Sequence, residues 1–192
     1  MTTKITSVAV FAGSSYGKRN EYADAASALG AAIAGRSLTL VYGGGYRGLM
    51  GIVAESVLTL GGKVIGVLPE ALNNEKVRLK DVETELIIVP DMHERKSRMY
   101  ALSDAFIALP GGIGTIEELS EIYTWKQLGI HEKNIGLLNT EGYWDPFIAQ
   151  IERGRDEGFI SREVLDALIV EKDPERLLDR LACEVHALPD KL

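Results

Sequence analysis

Short, almost unbroken apolar runs alternate with amphipathic stretches along this chain, and that alternation leaves few folds open. The runs ITSVAVF (5–11), SLTLVY (37–42), KVIGVL (63–68), ELIIV (85–89), AFIAL (105–109) and NIGLLN (134–139) are apolar at nearly every position. Strands buried on both faces must read this way. Between the first two, Tyr22, Ala26, Leu29 and Ile33 recur at helical spacing. Residues 48–62, 92–104 and 115–129 read as helices too, the first stopping at a glycine pair. Strands alternating with helices imply βαβ units, hence an α/β fold with a parallel sheet covered on both faces. In the last third, PFIAQIERGRDEGF and DPERLLDRLACEV read as covering helices. Residues 69–85 are the least regular, a flap or a weak helix.

A length of 192 residues suits one domain spanning 1–192, and 46% hydrophobic residues suffice for its core. The net charge of -7 argues against a nucleic-acid or membrane binder, which needs a basic surface. The single cysteine, Cys183, excludes an internal disulfide framework and fits a reducing compartment. The N-terminal apolar run is too short for a signal peptide, and no segment is long and apolar enough to span a membrane, so the expected location is the cytoplasm. His93, His131 and His186 have no metal-ligand spacing, so neither a metal nor any other cofactor is expected.

Three glycine-bearing turns follow predicted strands: AGSSYG (12–17), GGGYRGLMG (43–51) and PGGIGT (110–115). Any one of them is explained by a tight strand-to-helix turn. Three on one sheet edge favour a site lined with backbone N–H groups, because ligands of open parallel sheets bind beyond the carboxyl ends of the strands. Gly43, Gly45 and Gly48, with Glu70 further on, also fit the formal dinucleotide fingerprint. That reading leaves residues 110–118 unexplained.

The third turn is the more specific. Gly111, Gly112 and Gly114 let the backbone approach a ligand closely, and Thr115 can cap the helix that follows. Its free N–H groups and dipole favour a phosphate. Phosphate binding does not call for Glu117 and Glu118. Acids in a first turn complement the dipole of any helix, but here both stand beside the proposed anion. On a helical wheel Glu118 borders the apolar stripe of Leu119 and Ile122, whereas Glu117 and Glu121 share a wetter face. Glu118 is the better candidate for a pocketed carboxylate. In DMHERKSRM (91–99), Arg95 and Lys96 can meet a phosphate or pair with Glu118. Taken alone, that stretch reads as a solvated helix face.

PGGIGTIEE together with MHERK resembles the LONELY GUY family of cytokinin-activating phosphoribohydrolases, whose signature is PGGxGTxxE with an upstream Arg-Lys. VFAGSSYG, VYGGGYRGLMG and TWKQLGIHEKNIGLLNTEGYWDPF resemble its other segments, so the likeness runs from about Val8 to Phe159. The resemblance implies a Rossmann-like, doubly wound parallel sheet, usually in a homodimer. It also implies hydrolysis of the N-glycosidic bond of a nucleoside 5′-monophosphate, with an N6-isoprenoid adenine or plain adenine as base. Carried over by position, Arg95 and Glu118 are the catalytic pair. The implied substrate contacts are Ser14, Gly44, Gly45, Met50, Lys96, Gly111, Gly112, Ile113, Gly114, Thr115, Glu117 and Thr124, with Glu75 as an upstream acidic contact. Members are often labelled lysine decarboxylases, but no pyridoxal-phosphate site is recognisable in this sequence.

The glycines would then close round the 5′-phosphate, and Glu118 one turn later would face the anomeric carbon. Breaking an N-ribosidic bond builds positive charge on the sugar, which a carboxylate can stabilise or attack. Two other readings stand beside this one: a nucleotide carrier or sensor without turnover, and a dinucleotide-dependent enzyme using Gly43, Gly45 and Gly48.

Overall fold

The computed structural model describes residues 5–74, 77, 83–184 and 188, so Glu75 and His186 lie outside the described residues. Seven strands form one sheet: β1 (Ser7–Phe11), β2 (Thr39–Tyr42), β3 (Lys63–Pro69), β4 (Glu85–Val89), β5 (Ala105–Ala108), β6 (Asn134–Leu138) and β7 (Leu168–Glu171). Their order is β4-β3-β2-β1-β5-β6-β7, and every pairing is parallel. The helices are α1 (Asn20–Gly35), α2 (Gly48–Thr59), α3 (Met92–Ala101), α4 (Ile113–Gln127), α5 (Asp145–Asp156), α6 (Arg162–Asp166) and α7 (Pro174–Cys183). This is the expected doubly wound, Rossmann-like arrangement.

Strand alternation explains why the apolar runs are unbroken. Val8 and Val10 of β1 face a core built with Leu29 and Ile33 of α1 and Val53 and Val57 of α2. Ala9 and Phe11 face the opposite core, with Met99 of α3 and Leu119 and Ile122 of α4. Both faces are dry, so each residue of β1 is buried. Each large side chain so enclosed contributes about 1.5–3 kcal/mol.

The two expected covering helices form as α5 and α7, and LIVE, between them and unassigned from the sequence, is strand β7. It is only 4 residues long and is bracketed by α6 and by α7, which starts at once with the Asp173 side chain capping Arg176 N–H (2.9 Å) and Pro174 in its first turn. So short a run between two helices carries too little period to read. In 69–85, a 3-10 turn (Glu70–Leu72) follows β3.

The fold places the site through its switch in strand order. The chain winds from β1 outward to β4, then returns to β5 on the other side of β1. The connections leaving β1 and β5 therefore diverge at their carboxyl ends and open a crevice. These connections are the first and third glycine turns.

Candidate active site

The three turns lock onto one another through backbone contacts. Gly13 N–H donates to Pro110 O (3.1 Å), and Met50 N–H donates to Gly13 O (3.2 Å). Gly48 has φ +64, and a Cβ there would lie 2.3 Å from the Ser14 backbone carbon. A side chain would push the first and second turns apart. Gly112 and Gly114 are different: nothing lies within 4 Å of where their Cβ atoms would be. Packing does not explain these two glycines, whereas a ligand approaching the backbone does.

The helix that starts here has no side-chain cap, since its N-cap is Gly112 itself. Thr115, expected as the cap, is buried with its hydroxyl where a Gly111 side chain would be. Helix geometry leaves the N–H groups of Ile113, Gly114 and Thr115 without intrahelical partners, beside the positive end of the dipole.

A cavity of about 410 Å³ opens over this helix start, a size suited to a small molecule. Its lining includes Ser14, Gly112, Ile113, Gly114 and Thr115, and the apolar side chains of Met50, Leu72 and Met92. Arg95 and Glu118 stand at its wall, joined by an ion pair of 2.9 Å with side chains only 11% and 9% exposed. Burial pushes the Glu118 carboxyl above the usual carboxylate range, with Glu117 adding to the rise, while Arg95 opposes it. Arg95 crosses directly over Gly43, where a Cβ would come within 2.0 Å of Nη2. Its Nε–H is buried and has no partner. This pair is thus anchored at one end and has an unused donor.

Lys96 points elsewhere. Its Nζ is bonded to Glu117 and, at 3.1 Å, to Glu121, and Lys96 is absent from the cavity lining. Burial works against the Lys96 ammonium, but the bonds to Glu117 and Glu121 outweigh it and raise its pKa. Tyr100 completes the cluster by donating to Glu121 (2.6 Å). The three carboxylates in this stretch of α4 are thus held by two cations on α3, with Lys96 shared between Glu117 and Glu121. Glu117 reaches the cavity with a half-exposed side chain, as its wetter face predicted.

Ser14, Met50, Gly112, Ile113, Gly114, Thr115, Glu117, Arg95 and Glu118 come together round this cavity. Gly44 (φ +72) packs on Leu68, and Gly45 packs on Met50 without reaching the cavity. Gly111 instead lines a second cavity of about 240 Å³ with Tyr16, Tyr22 and Tyr143, adjoining the main one at Gly13, Ser14 and Gly112. Thr124 lies exposed on α4, its hydroxyl donating to Ser120 O (2.7 Å). Sequence reasoning missed Leu72 and Met92. The available signal was an apolar residue three positions past a strand end, Leu72 after β3 and Met92 after β4.

A family model described as "Possible lysine decarboxylase" matches residues 50–181. A probable cytokinin riboside 5′-monophosphate phosphoribohydrolase of Oryza sativa subsp. japonica is 48% identical over 174 residues, 91% of this chain and 78% of its own. The chain belongs to the family of cytokinin riboside 5′-monophosphate phosphoribohydrolases. A phosphoribohydrolase of that name from Arabidopsis thaliana is 45% identical over 179 residues, 93% of this chain and 84% of its own. The molybdenum cofactor binding protein of Rippkaea orientalis shares the family's fold, with a TM-score of 0.68 at 21% identity over 92% of this chain and 94% of that one. A pyridoxal phosphate enzyme needs an imine-forming lysine, and among the described residues no lysine lines either cavity.

Proposed function

We propose that this protein hydrolyses the N-glycosidic bond of N6-modified adenosine 5′-monophosphates, releasing the base and ribose 5-phosphate. The observation that carries the proposal is the buried Arg95–Glu118 pair one helical turn from an uncapped, glycine-lined helix start, in a single cavity. The 5′-phosphate sits on the N–H groups of Gly112 to Thr115, which fixes the ribose. Glu118 then faces the anomeric carbon and stabilises the positive charge that grows as the base leaves. Arg95 keeps Glu118 ionised and oriented. Met50, Leu72 and Met92 give the base an apolar surround that suits an isoprenoid substituent.

Incubating the pure protein with isopentenyladenosine monophosphate and AMP, and following free base by chromatography, tests the proposal. Base release supports it. Binding without release makes the protein a nucleotide carrier instead, and tight NAD binding revives the dinucleotide reading. The glycines of that fingerprint have other employment here, Gly43 beneath Arg95 and Gly48 against Ser14.

The role of Gly43 has its own test. Gly43→Ala places a methyl group on the path of the guanidinium, whose flexible end moves aside at little cost to the fold. Turnover is expected to fall about tenfold while the melting temperature holds, because the ion pair is misaligned and not lost. Unchanged turnover would show that Arg95 needs no such passage.

The working assembly is a homodimer. Leu119, Ile122 and Tyr123 of α4 are buried, yet Ile113, Leu128 and Ile130 along and just beyond the helix are exposed, as are Ile88 and Met92. A second subunit covering this side would enclose these residues and bring Thr124 to the partner's cavity. Light scattering at micromolar concentration is expected to give twice the chain mass of 20.9 kDa. A monomer mass would count against it.

A further inference from the structure

We infer that the Tyr143 hydroxyl is a positioning group for the anion-binding turn: it holds the Gly111–Gly112 peptide with its N–H facing the substrate. The inference rests on the phosphoribohydrolase reading only in taking the anion to be the substrate's 5′-phosphate.

Tyr143 belongs to the connection between β6 and α5, remote in sequence from the turn it touches. It lines the second cavity and is absent from the lining of the main one. Its hydroxyl donates a hydrogen bond to Gly111 O. Peptide bonds among the described residues are trans, and in a planar trans peptide the C=O and the following N–H point in opposite directions. The Gly111 carbonyl is turned toward Tyr143 and the second cavity. The Gly112 N–H on the same peptide is therefore turned away from Tyr143, and Gly112, which lines both cavities, stands beside the unpartnered first N–H groups of α4.

That orientation needs something to hold it. Two consecutive glycines permit a wide range of backbone angles. A flipped 111–112 peptide would present a carbonyl oxygen to the phosphate, replacing attraction with repulsion. The hydroxyl opposes that flip from a rigid base. The Tyr143 ring meets Tyr22 edge-on (centroids 5.8 Å, 79°) and Trp144 (5.3 Å, 90°). Beneath it, buried Asn139 accepts from Trp144 N–H (2.8 Å) and donates to Asp145 (2.7 Å). Asn139 N–H in turn donates to Glu171 O (2.7 Å). The connection is thereby tied to the end of β7, and Tyr143 cannot follow the glycines if they move.

Tyr143→Phe keeps the ring and removes only the hydroxyl. Calorimetry with ribose 5-phosphate is expected to show about tenfold weaker binding, the cost of one hydrogen bond that orders a charged contact. KM for isopentenyladenosine monophosphate should rise in parallel while kcat stays within about twofold, and kcat/KM for isopentenyladenosine, which lacks the phosphate, should not move. A purely structural tyrosine would instead lower the melting temperature and affect both substrates alike, which overturns the inference. Unchanged ribose 5-phosphate affinity overturns it as well, even if the wild-type protein hydrolyses substrate normally. Weakened ribose 5-phosphate binding in a protein that releases no base supports the positioning role and sinks the hydrolase reading alone. An independent readout needs no variant. In the nitrogen-15 spectrum of the wild type, ribose 5-phosphate should shift the Gly112 amide downfield, and an unmoved Gly112 amide rejects the inference.

Discussion

Glu118→Gln is expected to lower kcat for base release by roughly two to three orders of magnitude, about 3–4 kcal/mol in the barrier, with substrate affinity changed far less. Glutamine keeps the size and most of the hydrogen bonding of glutamate but lacks its charge. That charge matters mainly where the sugar is cationic, in the transition state, so the loss falls on kcat. Glu117→Gln is the internal control. Its side chain is half exposed and bonded to Lys96, so the effect there should be milder. The acid limb of the pH profile separates the roles of the pair. Glu118 works as the carboxylate, and burial raises its pKa from the ordinary 4.5. Activity should therefore be lost as pH falls through a value above 4.5, and that limb should vanish in Glu118→Gln. Arg95→Ala removes the partner that opposes the rise, so its acid limb should move to still higher pH. The double variant should be little worse than the worse single one, because the two groups act as a unit. Near-normal kcat in Glu118→Gln with abolished release in Glu117→Gln would falsify the assignment.

Much of this site was legible because it depends on local pattern. Glu118 was marked by its place beside Leu119 and Ile122 on one helical stripe, and the structure buries it on that stripe while leaving Glu117 half exposed. The strand ends gave away the glycine turns, and the sheet order then brought the first and third together across β1 and β5. What stayed hidden depends on contacts across the sheet. Gly43 belongs to a formally recognisable motif, yet its nearest neighbour is Arg95 from another element. Lys96 follows Arg95 directly, but successive helical residues point about 100° apart, so it meets Glu117 and Glu121 and turns from the cavity. Tyr143 carries no local sign of its role, because a hydroxyl seeking a carbonyl across two loops leaves no periodicity.

Removing the 5′-phosphate is expected to cost about three orders of magnitude in kcat/KM, roughly 4 kcal/mol, when isopentenyladenosine is compared with its monophosphate. The estimate follows from the helix start. Three N–H groups of α4 lack intrahelical partners and Gly112 offers no capping side chain, so in the empty site water satisfies them. A phosphate dianion exchanges those waters for charge-assisted bonds worth about 1.5–3 kcal/mol each, partly offset by its own desolvation. The chain's net charge of -7 and the run Glu117, Glu118 and Glu121 would seem to repel such an anion. The structure reduces the objection locally, since Glu117 and Glu121 share Lys96 and Arg95 holds Glu118. The approaching phosphate therefore meets a cluster reduced to one net negative charge, three carboxylates against two cations, and the positive end of a helix dipole. Ribose 5-phosphate should accordingly compete with substrate, whereas free ribose should not. Equal kcat/KM for the nucleoside and its monophosphate would mean that the glycine turn serves some purpose other than holding phosphate.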